Sequence, residues 1–196
     1  MTERHCPGCG MHRALCLCSH CAPVSTALSV VALQHPTEVN QAKGTLRLAK
    51  QCLGDQLEIV AGEQPEDFLA LRDRVDESWG LIFPTAESTP LELPQTTLPT
   101  HWLVIDGTWR KARKILHANP WLQQIPAYHF ATPPPSRYRI RKVPGQSSLS
   151  TIEALHYLLQ QADPGCQPDG LCQALEAMVD LWLAQVPDQY QSRYRR

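Results

Sequence analysis

Short apolar runs, each closed by polar punctuation and followed by residues at helical spacing, constrain this chain more than any other feature. "ALSVVAL" (27–33) is valine-rich and stops at "QHPTE"; "QLEIV" (56–60), "GLIFP" (80–84) and "HWLVI" (101–105) repeat the theme. Runs of this length and composition suit strands buried on both faces. Between them, "QAKGTLRLAKQCLG" (41–54) sets Leu46, Ala49 and Leu53 at helical spacing, with Gly54 as the stop. "PEDFLALRDRV" (65–75) reads as a helix with carboxylates in its first turn, where the helix dipole favours them. "TWRKARKILHAN" (108–119) is a further helix, ended before Pro120. "AYHFA" (127–131) offers a fifth strand, and "SSLSTIEALHYLLQQA" (147–162) and "DGLCQALEAMVDLWLAQV" (169–186) are two amphipathic helices. The proline- and threonine-rich "PTAESTPLELPQTTLPT" (84–100) is expected to be an exposed connection.

Strand and helix in alternation imply an α/β fold with a mainly parallel sheet. Ligands of such sheets bind outside the carboxyl ends of the strands. "QHPTE", "PTAES" and "DGTW" all fall at such ends, so Asp106, Thr108 and Trp109 stand where a pocket is expected. The chain carries no G-x-G-x-x-G, P-loop, Ser-His-Asp or H-E-x-x-H signature, which disfavours ordinary dinucleotide binding and P-loop phosphoryl transfer.

The 196 residues suffice for one domain with a small appendage. No apolar stretch reaches the roughly 18 residues that span a bilayer. The first 25 residues lack a secretory-type apolar segment. These features set the expectation of a cytoplasmic protein without a membrane partner. The net charge of −1 conceals an asymmetry. Residues 51–109 carry 2 Lys/Arg against 11 Asp/Glu, whereas residues 110–196 carry 11 against 6. A basic face for a polyanion is therefore compatible with the neutral total, as are merely solvated helix faces.

Five of the eight cysteines lie within residues 6–21, in the order C-x2-C-x6-C-x-C-x2-C. In a reducing compartment such clustering points to metal rather than disulfides. Cys6, Cys9, Cys16 and Cys18 form the simplest tetrahedral set, with Pro7 and Gly8 suited to the knuckle turn. Cys21, His12 and His20 are spare candidates, and four thiolates suit zinc or iron. So short an element has almost no core, so the metal is expected to fold it and to be structural. Residues 1–25 are accordingly read as a Cys-rich metal element and 26–196 as the main domain.

Singly, the remaining motifs have ordinary structural readings. Thr108 or Asp106 can cap the following helix and Trp109 can anchor packing. Ser150 with Glu153 is a capping box. "SRYRIRK" (136–142) alternates Arg137, Arg139 and Arg141 with Tyr138 and Ile140, a basic edge strand or a surface for phosphate contact and base stacking.

In series, the cysteine spacing, "QHPTE", "FP", "DGTW" with "RKAR", "SRYRIRK" and "STIEAL" resemble the DTW-domain family over residues 6–160, most closely its bacterial tRNA-uridine aminocarboxypropyltransferases. The resemblance implies a SPOUT-like sheet closed by a knotted carboxyl-terminal part. It implies transfer of the 3-amino-3-carboxypropyl group of S-adenosylmethionine to N3 of a tRNA uridine, with a structural zinc. The family's D-x-T-W falls on Asp106, Thr108 and Trp109, with Gly107 between. H-P-x-E falls on His35, Pro36 and Glu38; S-x-Y-x-x-R on Ser136, Tyr138 and Arg141; T-x-E on Thr151 and Glu153. The cysteines match at Cys6, Cys9, Cys16 and Cys18, leaving Cys21 extra. Where many members have Asn-Thr-Gly-Arg this chain has "GTLR", which keeps Thr45 and Arg47 only.

The donor site expected on this basis comprises His35, Pro36, Pro84, Asp106, Gly107, Thr108, Trp109, Ser136, Tyr138, Arg141, Thr151 and Glu153. Catalysis is expected of Asp106, as general base or as an orienting group, with Thr108 and Trp109. RNA contact is expected of Arg110, Lys111, Arg113, Lys114, Arg137, Arg139 and Lys142, with the "SRYRR" tail. A SPOUT-like methyltransferase with the same donor, and a noncatalytic zinc-dependent RNA-binding module, are the competing readings.

Overall fold

The computed structural model describes residues 4–140, 148–187 and 189. Its centre is a six-stranded, wholly parallel sheet. In chain order the strands are β1 (Ser29–Gln34), β2 (Leu57–Ala61), β3 (Trp79–Ile82), β4 (Thr89–Pro90), β5 (His101–Asp106) and β6 (Ala127–His129). They stand in the order β2-β1-β5-β3-β6-β4. The helices are α1 (Leu46–Leu53), α2 (Leu69–Arg72), α3 (Trp109–Ala118), α4 (Thr151–Ala162) and α5 (Asp169–Leu183).

The two faces of the sheet explain the apolar runs. Val30 and Ala32 of β1, with Trp102 and Val104 of β5, join the core that α1, α4 and α5 cover. Val31, Leu33 and Leu103 point the other way, into a second core with Leu71 of α2 and Ala112 and Ile115 of α3. Period-two alternation therefore sends apolar side chains to both faces, as an inner parallel strand requires. Trp102 is fully buried and meets Tyr128 edge-on at 5.1 Å. Aromatic burial of this kind contributes about 2–3 kcal/mol.

Local signals set the helix ends. α1 stops at Gly54, whose φ of +54° lies in the region that glycine adopts without steric cost. Thr108 caps α3 by accepting the Lys111 N–H. At the other end Asn119, itself fully buried, donates to the Ile115 carbonyl at 2.8 Å and the Glu63 carbonyl at 2.9 Å. The Ser150–Glu153 capping box begins α4.

Three expectations are corrected. "PEDFLALRDRV" is a 3-10 turn, Pro65–Phe68, followed by the single α-turn of α2. Pro65 starts that turn, and Gln64 and Asp67 satisfy its backbone donors. Residues 84–100 are not merely an exposed connection. Thr89–Pro90 pairs with β6 at the sheet edge, and Leu91 is buried beneath it. A proline is tolerated there because an edge strand has one unpaired side. Finally, the described part of "SRYRIRK" is not a strand. Its alternation survives all the same: Tyr138 and Ile140 are buried while Arg137 and Arg139 face outward. Arg141, Lys142, the tail at 192–196 and the chain path through 141–147, on which a knot depends, lie outside the described residues.

The amino-terminal element is packed against the main body. Leu17 and Val24 join the core beneath α1 and α5, and the Val24 N–H donates to the Cys52 carbonyl at 2.8 Å.

Candidate active site

β1 leads through α1 to β2 on one side, whereas β5 leads through α3 to β6 on the other. The adjacent β1 and β5 therefore form a switch point, where an open parallel sheet leaves a crevice. The register places Gln34 opposite Asp106 at its mouth. Asp106, only 8% exposed, accepts hydrogen bonds from Gln34 Nε2 at 2.8 Å on Oδ2 and from the Thr151 hydroxyl on Oδ1. The carboxylate is thus fixed between the end of β1 and the start of α4.

Two cavities adjoin at this point. The smaller, about 270 Å³, is polar and is lined by Glu38, Lys43, Asp106, Lys111 and Tyr138 among others. The larger, about 520 Å³, is mainly apolar, with Phe83, Pro84, Trp109, Phe130 and Leu149 in its wall. Gly107, Thr108 and Thr151 border both. A side chain at position 107 would put its Cβ 3.2 Å from Lys111 Cβ, so the tight passage of the loop over α3 favours glycine there. Trp109 remains 53% exposed, held edge-on to Phe83 at 5.8 Å. An exposed indole at a cavity mouth is a ready stacking surface.

Other expected residues occupy supporting positions. His35 is buried and lines neither cavity. Its Nδ1 accepts the Thr37 N–H at 3.3 Å, capping the turn Pro36–Glu38, and its Nε2 meets Glu63 at 2.7 Å. Lys114 lies 2.8 Å from the other Glu63 oxygen. The Lys114 ammonium, and then the His35 ring, hold the Glu63 carboxyl below the usual range. Pro36 starts the turn, and Glu38 at its end reaches Lys111 Nζ at 2.7 Å. Glu153, 7% exposed, accepts from the Ser150 N–H at 2.8 Å, the Ser150 hydroxyl at 2.6 Å, the Ser136 hydroxyl at 2.9 Å and the Arg137 N–H at 2.6 Å. It clamps residues 136–137 to α4. Tyr138 lines the polar cavity and donates its hydroxyl to the Lys43 carbonyl.

The expected RNA-contacting cations divide. Arg110 and Arg113 are exposed on α3, and Arg110 borders the apolar cavity. Lys111 and Lys114 hold the ion pairs already described. Arg137 and Arg139 lie over α5, facing Glu176 at 2.7 Å and Asp180 at 3.6 Å. Such exposed pairs are weak and exchange readily for phosphate.

Four of the amino-terminal sulfurs, Cys6, Cys9, Cys16 and Cys18, lie within 4.8 Å of one another. Cys6 and Cys18 are 3.6 Å apart, and Cys9 and Cys16 3.8 Å. A tetrahedron with arms of about 2.3 Å has edges of about 3.8 Å, so the spacing fits zinc held by thiolates. The N–H groups of Cys9 and Gly8 lower the Cys6 thiol to about 6, ready to ligate as thiolate. Burial and the neighbouring sulfurs push the Cys18 thiol up, an opposition that a cation would relieve. Cys21 lies outside this set, its thiol donating to the Leu17 carbonyl at 3.3 Å. His12 accepts the Ala14 N–H instead. Gln51 of α1 donates to the Gly8 carbonyl at 2.7 Å, tying the knuckle to the helix whose amino end borders the polar cavity.

Sequence reasoning missed Gln34, Lys43 and Glu63. Gln34 left a faint trace, as a polar residue ending a buried run, but its partner is seventy-two positions away.

Among the described residues no helix is long and apolar enough to cross a membrane. The DTW domain profile matches residues 3–183. A Mus musculus protein, tRNA-uridine aminocarboxypropyltransferase 2, is 28% identical over 189 residues, covering 91% of this chain and 63% of the relative. The protein of the same name in Macaca fascicularis is 30% identical over 160 residues, covering 76% of this chain and 53% of the relative. That of Drosophila melanogaster is 29% identical over 143 residues, covering 67% and 55%. The chain thus spans less than two thirds of the length of these curated relatives. No solved structure matches it. Since the profile takes in the four clustered cysteines, the switch-point carboxylate, and α3 and α4, whose residues line the cavities, this chain belongs to the DTW domain family.

Proposed function

We propose that this protein transfers the 3-amino-3-carboxypropyl group of S-adenosylmethionine to N3 of a tRNA uridine. The observation that carries the reading is the pair of cavities that adjoin at Gly107, Thr108 and Thr151, the polar one lined also by Asp106. The names of the relatives support aminocarboxypropyl transfer to a tRNA uridine. The apolar cavity has the size and lining of a small-molecule pocket, with aromatic walls suited to a nucleoside.

When bound, S-adenosylmethionine supplies a sulfonium-activated γ-carbon, whose bond electrons leave on sulfur as neutral 5′-methylthioadenosine. The chain's own task is then alignment and one proton transfer. Uridine N3 becomes an effective nucleophile as its proton leaves, and Asp106, whose carboxylate accepts from Gln34 and Thr151, is the residue proposed to receive that proton. Alignment across the two cavities supplies most of the acceleration. Trp109 offers a stacking face to the turned-out base. Arg110 and Arg113 on α3, and Arg137, Arg139, Lys114 and Lys142 elsewhere in the chain, are the cations proposed to meet tRNA phosphates. Cys6, Cys9, Cys16 and Cys18 would hold a structural zinc, in a knuckle that Gln51 ties to α1.

The test is incubation of the purified protein with donor and unmodified tRNA, followed by nucleoside mass analysis. Aminocarboxypropyl transfer adds about 101 Da and methyl transfer about 14 Da, set by the donor group's own chemistry. A gain of the smaller mass would make the protein a methyltransferase. Binding of tRNA without either gain would make it a noncatalytic RNA-binding module.

A further inference from the structure

We propose that the polar cavity seats the donor's amino-acid arm, with Glu38 receiving its α-ammonium and Lys111 its α-carboxylate, while the apolar cavity takes the nucleoside. This assignment rests on the aminocarboxypropyl transfer proposed for the same site. It adds which residues read the group that is moved.

The cavities differ in chemistry as the two halves of the donor do. One is small and holds a charged pair; the other is nearly twice as large and has aromatic walls. A ligand longer than either must cross at Gly107, Thr108 and Thr151, which border both. The Glu38 and Lys111 side chains are only 19% and 22% exposed. A half-buried ion pair tolerates a guest only if each charge regains an opposite partner. An α-amino acid brings one charge of each sign, so its entry replaces one ion pair by two charge-assisted contacts at unchanged net charge. A uracil ring brings neither charge, which argues against the base as occupant.

The other charged groups of the cavity are engaged. Lys43 Nζ donates to the Ile140 carbonyl at 3.1 Å and lies 5.0 Å above the Trp182 ring. Asp106 accepts from Gln34 and Thr151. Glu38 is held at the end of the turn that His35 caps, making His35 a positioning residue. The reading explains why a buried histidine braced by Glu63 stands beside a cavity that it does not line.

The test is calorimetric binding to the full, metal-loaded chain of three probes. They are S-adenosylmethionine, its decarboxylated form, which lacks the α-carboxylate, and 5′-methylthioadenosine, which lacks the arm. Wild-type protein is expected to bind the complete donor at least about ten-fold more tightly than the armless probe, as charge-assisted contacts imply. Lys111→Met should lose about ten-fold for the complete donor and should not weaken the decarboxylated probe, which has no carboxylate for Lys111 to pair with. Glu38→Gln should weaken both, and neither substitution should alter the armless probe. Variants that bind the complete donor as wild type does overturn the assignment. Equal losses for all three probes also overturn it, because the pair would then support the cavity rather than read the arm. Failure of wild-type protein to bind any of the three removes the transferase reading itself.

Discussion

Gln34 Nε2 donates to Asp106 Oδ2 at 2.8 Å, joining the ends of two adjacent strands whose onward connections diverge. The bond spans the mouth of the crevice and fixes the one carboxylate that the DGTW motif contributes. Substituting Asp106→Asn keeps the shape of the side chain but removes its capacity to take a proton. Transfer should fall about 10²–10⁴-fold, the range for a lost general base. Donor affinity and the unfolding midpoint should change little. Single-turnover rates as a function of pH check this. A base role removes the rise of rate with pH, whereas a purely orienting role lowers the rate evenly.

Glu153 is a second buried acid. Its carboxylate accepts four hydrogen bonds from residues 136, 137 and 150, which ties the start of α4 to the segment at 136–137. Glu153→Ala leaves those donors without their acceptor and should destabilise the protein by about 2–4 kcal/mol. Denaturant unfolding measures the loss. Glu153→Gln, which retains one acceptor oxygen, should lie between the two.

These two acids show what was legible in the sequence. Strand positions, the parallel sheet and the carboxyl-end location of DGTW followed from apolar patterning, because burial on both faces imposes it directly. The capping box at Ser150 and Glu153 was local and therefore visible. Its second use, as a clamp on Ser136 and Arg137, required a contact across seventeen residues. His35 is expected in the donor site because its motif is; the contacts of its ring with Thr37 and Glu63 are tertiary or turn detail that the motif does not display. The edge strand at Thr89–Pro90 went unseen because it depends on tertiary pairing, and the 3-10 character of residues 65–68 because Pro65 and the Gln64–Asp67 capping box act outside the apolar periodicity.

The sulfurs of Cys6, Cys9, Cys16 and Cys18 are close enough to share one tetrahedral ion, and Cys21 is not among them. Native mass spectrometry should therefore find one zinc per chain in wild type and in Cys21→Ser. Cys9→Ser should lose most of it. Chelation should lower the unfolding midpoint of wild type and scarcely affect Cys9→Ser, because metal affinity and folding of so small an element are the same free energy.

Asp163 ties the turn between α4 and α5 to the segment before β1. It accepts from the Thr26 hydroxyl at 2.6 Å and the Ala27 N–H at 2.8 Å. Those donors, the hydroxyl first, hold its carboxyl below its usual value of 3.8. A depressed folded value means that the contribution is present above the unfolded value and is lost as pH falls through the folded one. Asp163→Asn should thus lower the denaturant midpoint at about pH 7 and flatten its decline toward about pH 3. Parallel unfolding curves at the two pH values check the sign.

The central claim is that the carbon chain of the donor, and not its methyl, reaches the RNA. Two donor preparations decide it most directly, one labelled in the carboxyl carbon and the other in the methyl, each incubated with the protein and unmodified tRNA. Label in the tRNA from the carboxyl preparation alone, with the methyl label leaving in 5′-methylthioadenosine, is the expected result. Methyl label in the tRNA, or no label from either preparation, would contradict it.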